Sequence, residues 1–186
     1  MLSFGWGKIR VAARRLYERA VAQARDPVFY RDLGVPDTLD GRFDMIALHV
    51  FLLLRRLRAE GVPAKRFAQA LFDTMFDDMD DSLREIGVGD LSVGKRVKAM
   101  AKALYGRIAA YEAGLGADDE SLAAALRRNL YRNAAPSPDQ LASLAAYLRR
   151  EAASLARIPY ESLAAGEVAF GPAPEPRPAP EAEHPR

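Results

Sequence analysis

The sequence predicts a single all-α domain. Three observations carry that reading. Apolar residues recur at spacings of three and four along nearly the whole chain. No stretch alternates apolar and polar residues in the manner of a half-buried strand. Glycine, proline, serine and aspartate cluster between the periodic stretches, where helices start and stop. A chain of 186 residues is one domain with tails, and a chain of that size buries roughly two-thirds of its unfolded surface.

Each element follows from local chemistry. A first helix is expected from about Lys8 to Arg25 on the stripe Ile9, Ala12, Ala13, Leu16, Ala20 and Ala24. Pro27 ends it, because the residue before a proline avoids helical geometry. Gly34, Pro36 and Asp40-Gly41 read as turn formers in the loop that follows. Asp40 is the expected cap of a second helix running to about Glu60, with Gly61 as its stop. Pro63 suits the first turn of a third helix, which Gly87 ends. Ser92 is the expected cap of a fourth, reaching about Tyr111, and a fifth covers Asp119 to Arg132. Ser137, Pro138 and Gln140 form a capping-box pattern that opens a sixth helix to about Arg157. Pro159 starts one further turn, which makes six to seven helices in all. The expected division is a candidate membrane-contacting segment at 1–8, a helical domain at 9–165 and a proline-rich, disordered tail at 171–186.

Composition narrows the function. Apolar residues make up 49% and charged residues 28%, a soluble globular balance. With no cysteine, a disulfide framework, thiol catalysis and thiolate metal sites are excluded. The longest apolar run, Met45 to Leu54, is half the length of a membrane span and reads as a core helix. The N-terminus lacks the apolar centre and cleavage site of a secretory signal, so the protein is expected to stay where it is made.

The net charge of +2 hides strong segregation. Residues 1–25 carry a net +5, residues 73–90 a net −6 and residues 91–107 a net +5. Such blocks favour partners of matching pattern. The acidic block and the lack of a reading motif argue against nucleic acid. The basic, amphipathic start, with Leu2, Phe4, Trp6 and Ile9, suits an anionic membrane surface or a core-packing helix with a solvated basic face.

Three further motifs invite chemistry. Asp77-Asp78-Met79-Asp80-Asp81 matches the pattern with which helical prenyl-transferring enzymes hold magnesium and a diphosphate, and carboxylates one turn apart suit a hard cation. The second facing acidic cluster that such enzymes need is missing, so a solvated or partner-facing patch is the better reading. Gly89 to Lys95 fits most of a phosphate loop, but Arg96 replaces the required hydroxyl and the preceding segment is helical. His49 stands alone among Ile46, Val50, Leu52 and Leu53, as a core histidine with one hydrogen-bond partner would. No metal or cofactor site is expected.

Longer patterns carry more weight. These are Gln23-Ala24-Arg25 with Pro27 and Tyr30, Gly34 to Thr38, Asp40 to Phe43, His49, and Arg55 to Leu57. They continue through Gln69, Leu71 to Asp73, Asp78 to Asp80, Leu83 to Glu85, Gly87 to Asp90, Lys95 and Tyr105 to Arg107. In this order and spacing, over about residues 15–150, the chain resembles the ubiquinol-cytochrome c chaperones, assembly factors of respiratory complex III. The resemblance implies an all-helical, non-catalytic protein that binds newly made cytochrome b before its incorporation. It implies a bacterial-type member without an import sequence, peripheral at the cytoplasmic face of the inner membrane. Mitochondrial members act with a small partner protein. The client-binding residues it implies are Arg42, Phe43, His49, Arg55, Phe72, Phe76, Asp78, Met79, Asp80, Arg84, Glu85, Asp90, Lys95, Lys98, Tyr105 and Arg107. Methionines 45, 75, 79 and 100 with Phe43, Phe51, Phe72 and Phe76 would supply adaptable packing in an apolar groove or, on the plainer reading, the core. The alternative is a magnesium-dependent enzyme of prenyl-diphosphate type built on the acidic cluster.

Overall fold

The computed structural model describes residues 5–174. Among them there are eight α-helices and no strand. The first, α1 (Trp6–Ala24), packs along α4 (Lys65–Glu85) and across α3 (Leu39–Arg58). Helix α3 is the axis of the molecule: every residue from Phe43 to Leu54 is buried. Helix α5 (Asp90–Leu115) returns along α4, and α6 (Asp119–Leu126) folds back on α5. The last long helix, α7 (Pro138–Ala156), closes the bundle against α3 and α6, and the short α8 (Tyr160–Ala164) rests on α1.

Capping explains most boundaries. The Ser137 side chain accepts from Gln140 N–H while the Gln140 side chain accepts from Ser137 N–H, the reciprocal pair expected from sequence. Two expected caps are displaced. Thr38, not Asp40, caps α3, and its hydroxyl accepts from Gly41 N–H at 3.1 Å. Asp40 instead lies in the first turn and points its carboxylate at Arg132. Gly89, not Ser92, is the cap of α5, because the chain is already helical at Asp90. The loop expected after Pro27 holds a one-turn helix, α2 (Pro27–Arg31), capped by the Asp26 side chain. A 3₁₀ turn (Val62–Ala64) leads into α4.

The expected fifth helix is interrupted. After Leu126 the chain widens into a π-helical turn, Arg127–Tyr131, and Arg132 takes a φ of +50°. A non-glycine residue in that region is strained. The turn brings the Arg132 guanidinium onto Asp44 and places the buried Tyr131 hydroxyl on the Leu33 carbonyl at 2.8 Å.

Residues 171–174, expected to begin a free tail, lie on the body. Gly171 N–H donates to the Glu151 carboxylate at 2.9 Å, Arg150 donates to the Pro172 carbonyl, and Pro174 is buried. The rest of the expected tail, like the start of the expected membrane segment, falls outside the described residues.

Candidate functional site

Helix α5 is attached unevenly. Its C-terminal half buries Leu104, Arg107, Ile108 and Tyr111. In the stretch from Ser92 to Ala103 only Val93 is buried, with Val97, Met100 and Ala101 half-buried behind it. Those positions form one narrow stripe at helical spacing. The basic residues Lys95, Arg96, Lys98 and Lys102 face solvent. Between this half of α5, α4 and the start of α3 lies a groove of about 440 Å³. Its floor is Phe43, Ile46, Met79, Leu83 and Met100, and its rim holds Arg25, Arg42 and Arg96 with Asp40, Asp78 and Ser82.

The frame under the groove is polar and buried. Asp44 is fully buried and is paired with Arg107 at 2.7 Å and Arg132 at 2.8 Å. Burial pushes its carboxyl from 3.8 up to about 6, against the pull of both guanidiniums. Arg107 also lies over the Phe43 ring, 5.7 Å from its centre. One ion cluster therefore fixes the C-terminal half of α5 and the π-turn to the groove floor.

The sixteen sequence-derived residues separate into distinct places. Arg42, Phe43, Asp78 and Met79 meet at the groove. Phe72 and Tyr105 stack at 5.3 Å on the opposite flank of α4 and α5, where Leu54, Leu57 and Ile108 complete a second hollow of about 320 Å³. Phe76 is buried, with its ring 4.6 Å from that of Phe72. Asp80, Arg84 and Asp90 form an ion-paired clasp across the α4–α5 turn, with Arg84 holding Asp80 at 2.6 Å and also Asp90. Arg55 pairs with Glu112 at 3.1 Å. Glu85, Lys95 and Lys98 are exposed away from the groove.

His49 and Arg107 are not at the surface. His49 is fully buried with two partners rather than the one expected: Nδ1–H donates to the Met45 carbonyl at 2.8 Å, and Nε2 accepts from the Tyr147 hydroxyl at 2.8 Å. Burial lowers its pKa from 6.5 to about 4, so the ring is neutral. Phe29, Tyr147 and Phe170 pack edge-on around it. Of the methionine and phenylalanine set, Met45, Met75 and Phe51 are plain core; Phe43, Met79 and Met100 reach the groove, and Phe72 the second hollow.

The acidic cluster does not converge. Asp78 accepts from the Tyr17 hydroxyl at 2.7 Å, Asp80 is held by Arg84, and Asp77 lines a separate hollow beside Trp6 and Arg14. Among the described residues no three histidine, aspartate or glutamate side chains gather as metal ligands would. Sequence reasoning passed over Leu39, Arg96 and Asp44 as site residues. Asp44 had a signal: an acid adjoining the longest apolar run is either paired or out of place.

Residues 31–170 match the profile of the ubiquinol-cytochrome C chaperones. The chain belongs to that family. It is 30% identical over 172 residues to "Ubiquinol-cytochrome-c reductase complex assembly factor 1" of Xenopus laevis, spanning 92% of this chain and 86% of that one. It is 32% identical over 151 residues to "Protein CBP3, mitochondrial" of Saccharomyces cerevisiae, spanning 77% and 44%. Against the crystal structure of the Cbp3 homolog from Brucella abortus the TM-score is 0.80 at 40% identity, over 90% of this chain and 92% of that one. The chain spans 60% of the mouse relative. A family of assembly chaperones is not one of enzymes, and the prenyl-diphosphate alternative falls with that assignment. Within the ubiquinol-cytochrome C chaperone fold, the α3–α4–α5 groove is where an apolar floor, a charged rim and a lightly held helix coincide.

Proposed function

We propose that the protein is an assembly chaperone of ubiquinol-cytochrome c reductase that holds newly made cytochrome b in the groove between α3, α4 and α5. The carrying observation is the apolar floor of Phe43, Ile46, Met79, Leu83 and Met100 beneath a half-helix attached by one stripe. An unassembled membrane subunit exposes apolar helices, and thioether and aromatic side chains repack around varied apolar shapes. The family and the names of its relatives supply the pathway. Work at the membrane face is supported by α1, where Trp6 and Val11 are half-exposed among Arg10 and Arg14. No described helix is long and apolar enough to cross a membrane.

The test is recovery of the protein from its native membranes, with co-purified subunits identified by mass spectrometry. Enrichment of cytochrome b without the mature subunits of the complex is the expected result. Recovery of no respiratory subunit under conditions that keep weak complexes intact overturns the reading.

A further inference from the structure

We infer that the groove selects apolar client segments that end in a carboxylate-bearing residue, read by Arg25 and Arg96; this rests on the groove being the client site. The groove lies beside the most acidic stretch of the chain, which would lead one to expect an acidic rim. The structure gives the opposite. Asp40 on the rim is paired with Arg132 at 3.1 Å. Asp78 accepts from the Tyr17 hydroxyl. Asp37, beside the rim, is taken by Arg42 at 2.6 Å. Asp80 and Asp90 are held in the Arg84 clasp, and Asp73 and Asp77 line the hollow beside Trp6. Each carboxylate that borders the groove thus has a hydrogen-bond or ion-pair partner within the fold, Asp40 sharing Arg132 with Asp44.

The cations are distributed the other way. Arg25, at the C-cap of α1, and Arg96, in the second turn of α5, have no ion pair among the described residues. They stand at the rim of one apolar groove on different helices. A guanidinium beside apolar surface binds a carboxylate through two parallel hydrogen bonds, and the partly dry setting strengthens the pair. A client segment ending in lysine would meet like charge, which gives selection as well as attraction. Placing one of the two arginines on α5 also has a mechanical result. Docking of an acidic segment draws the lightly held half-helix down onto its cargo.

The test uses the full chain and two fluorescent helical peptides with the same leucine-rich apolar stretch, one ending in two glutamates and the other in two lysines. The glutamate peptide is expected to bind at least about ten-fold more tightly, with the preference shrinking as salt is raised. The double variant R25E/R96E, changed only at exposed positions, is expected to keep its melting temperature and invert the preference. Equal binding of both peptides, or an unchanged preference in the double variant, overturns the inference. The same variant in the membrane pull-down separates the two levels. If wild type and R25E/R96E recover cytochrome b equally, charge selection fails and the client assignment stands. If wild type recovers none, the client assignment falls, and the peptide preference alone decides whether the rim reads carboxylates.

Discussion

Two buried titratable residues pull this fold in opposite directions as pH falls. His49 takes a proton near 6.5 in the unfolded chain but only near 4 in the folded one. The unfolded state is therefore favoured as pH drops below 6.5, and the loss is complete below 4. A shift of that size corresponds to about 3 kcal/mol. Asp44 behaves the other way. Its folded value of about 6 lies above the ordinary 3.8, so the folded chain binds this proton first and gains stability as pH drops from 6 towards 3.8. A His49→Gln variant, followed by thermal melting, should gain on wild type as pH is lowered from 6.5 to 4. A constant difference between the two would show that His49 is not held neutral. Asp44→Ala leaves the buried Arg107 without its carboxylate partner and takes from the exposed Arg132 one of its two, Asp40 being the other. It should cost about 3–5 kcal/mol in urea unfolding, and a cost below about 1 kcal/mol would mean that the cluster does not hold α5.

At the scale of the element, glycines report which helices are tightly fitted. Gly106 lies inside α5 with nothing within 4 Å of an added Cβ. Gly106→Ala should stabilise the protein by about 0.5–1 kcal/mol through helix propensity alone. Gly41 in α3 is the contrast, since a Cβ there would run into the Pro36 carbonyl, and Gly41→Ala should destabilise. A pair of denaturation curves checks both, and the same sign for both would refute the packing argument. The helices themselves were legible in the sequence, because apolar spacing and the Ser137 capping box are local signals. The break after Leu126 was not. Arg127 to Tyr131 holds no glycine or proline to announce a break, and the Arg132–Asp44 contact that accompanies the π-turn joins positions 88 apart in the chain. The groove was legible in part: Phe43 and Met79 sit in long family-like motifs. Arg96 was hidden, because a surface arginine acquires meaning only from the helix it faces.

For the molecule as a whole, the segment after α8 acts as a strap across α1 and α7. Phe170 packs edge-on against His49, and the Gly171 carbonyl accepts from Gln23, whose amide also donates to the Tyr147 hydroxyl. Ending the chain after Gly166 removes that cover. The truncated protein should exchange the amide hydrogens around His49 and Tyr147 faster than the full chain, with those of the α4–α5 clasp unchanged. Uniform acceleration would make the strap a global stabiliser, and no change would make it an ornament.

The strap also sets an order of events during synthesis. It is the last described segment to leave the ribosome, and it closes over a histidine that emerged more than a hundred residues earlier. Until Phe170 and Gly171 are free of the exit tunnel, the seam between α1 and α7 lies open to water. The groove is built from residues 25–100 and needs nothing from the strap. The binding surface can therefore take shape on a chain that is still being translated, before the strap has emerged to seal the seam over His49.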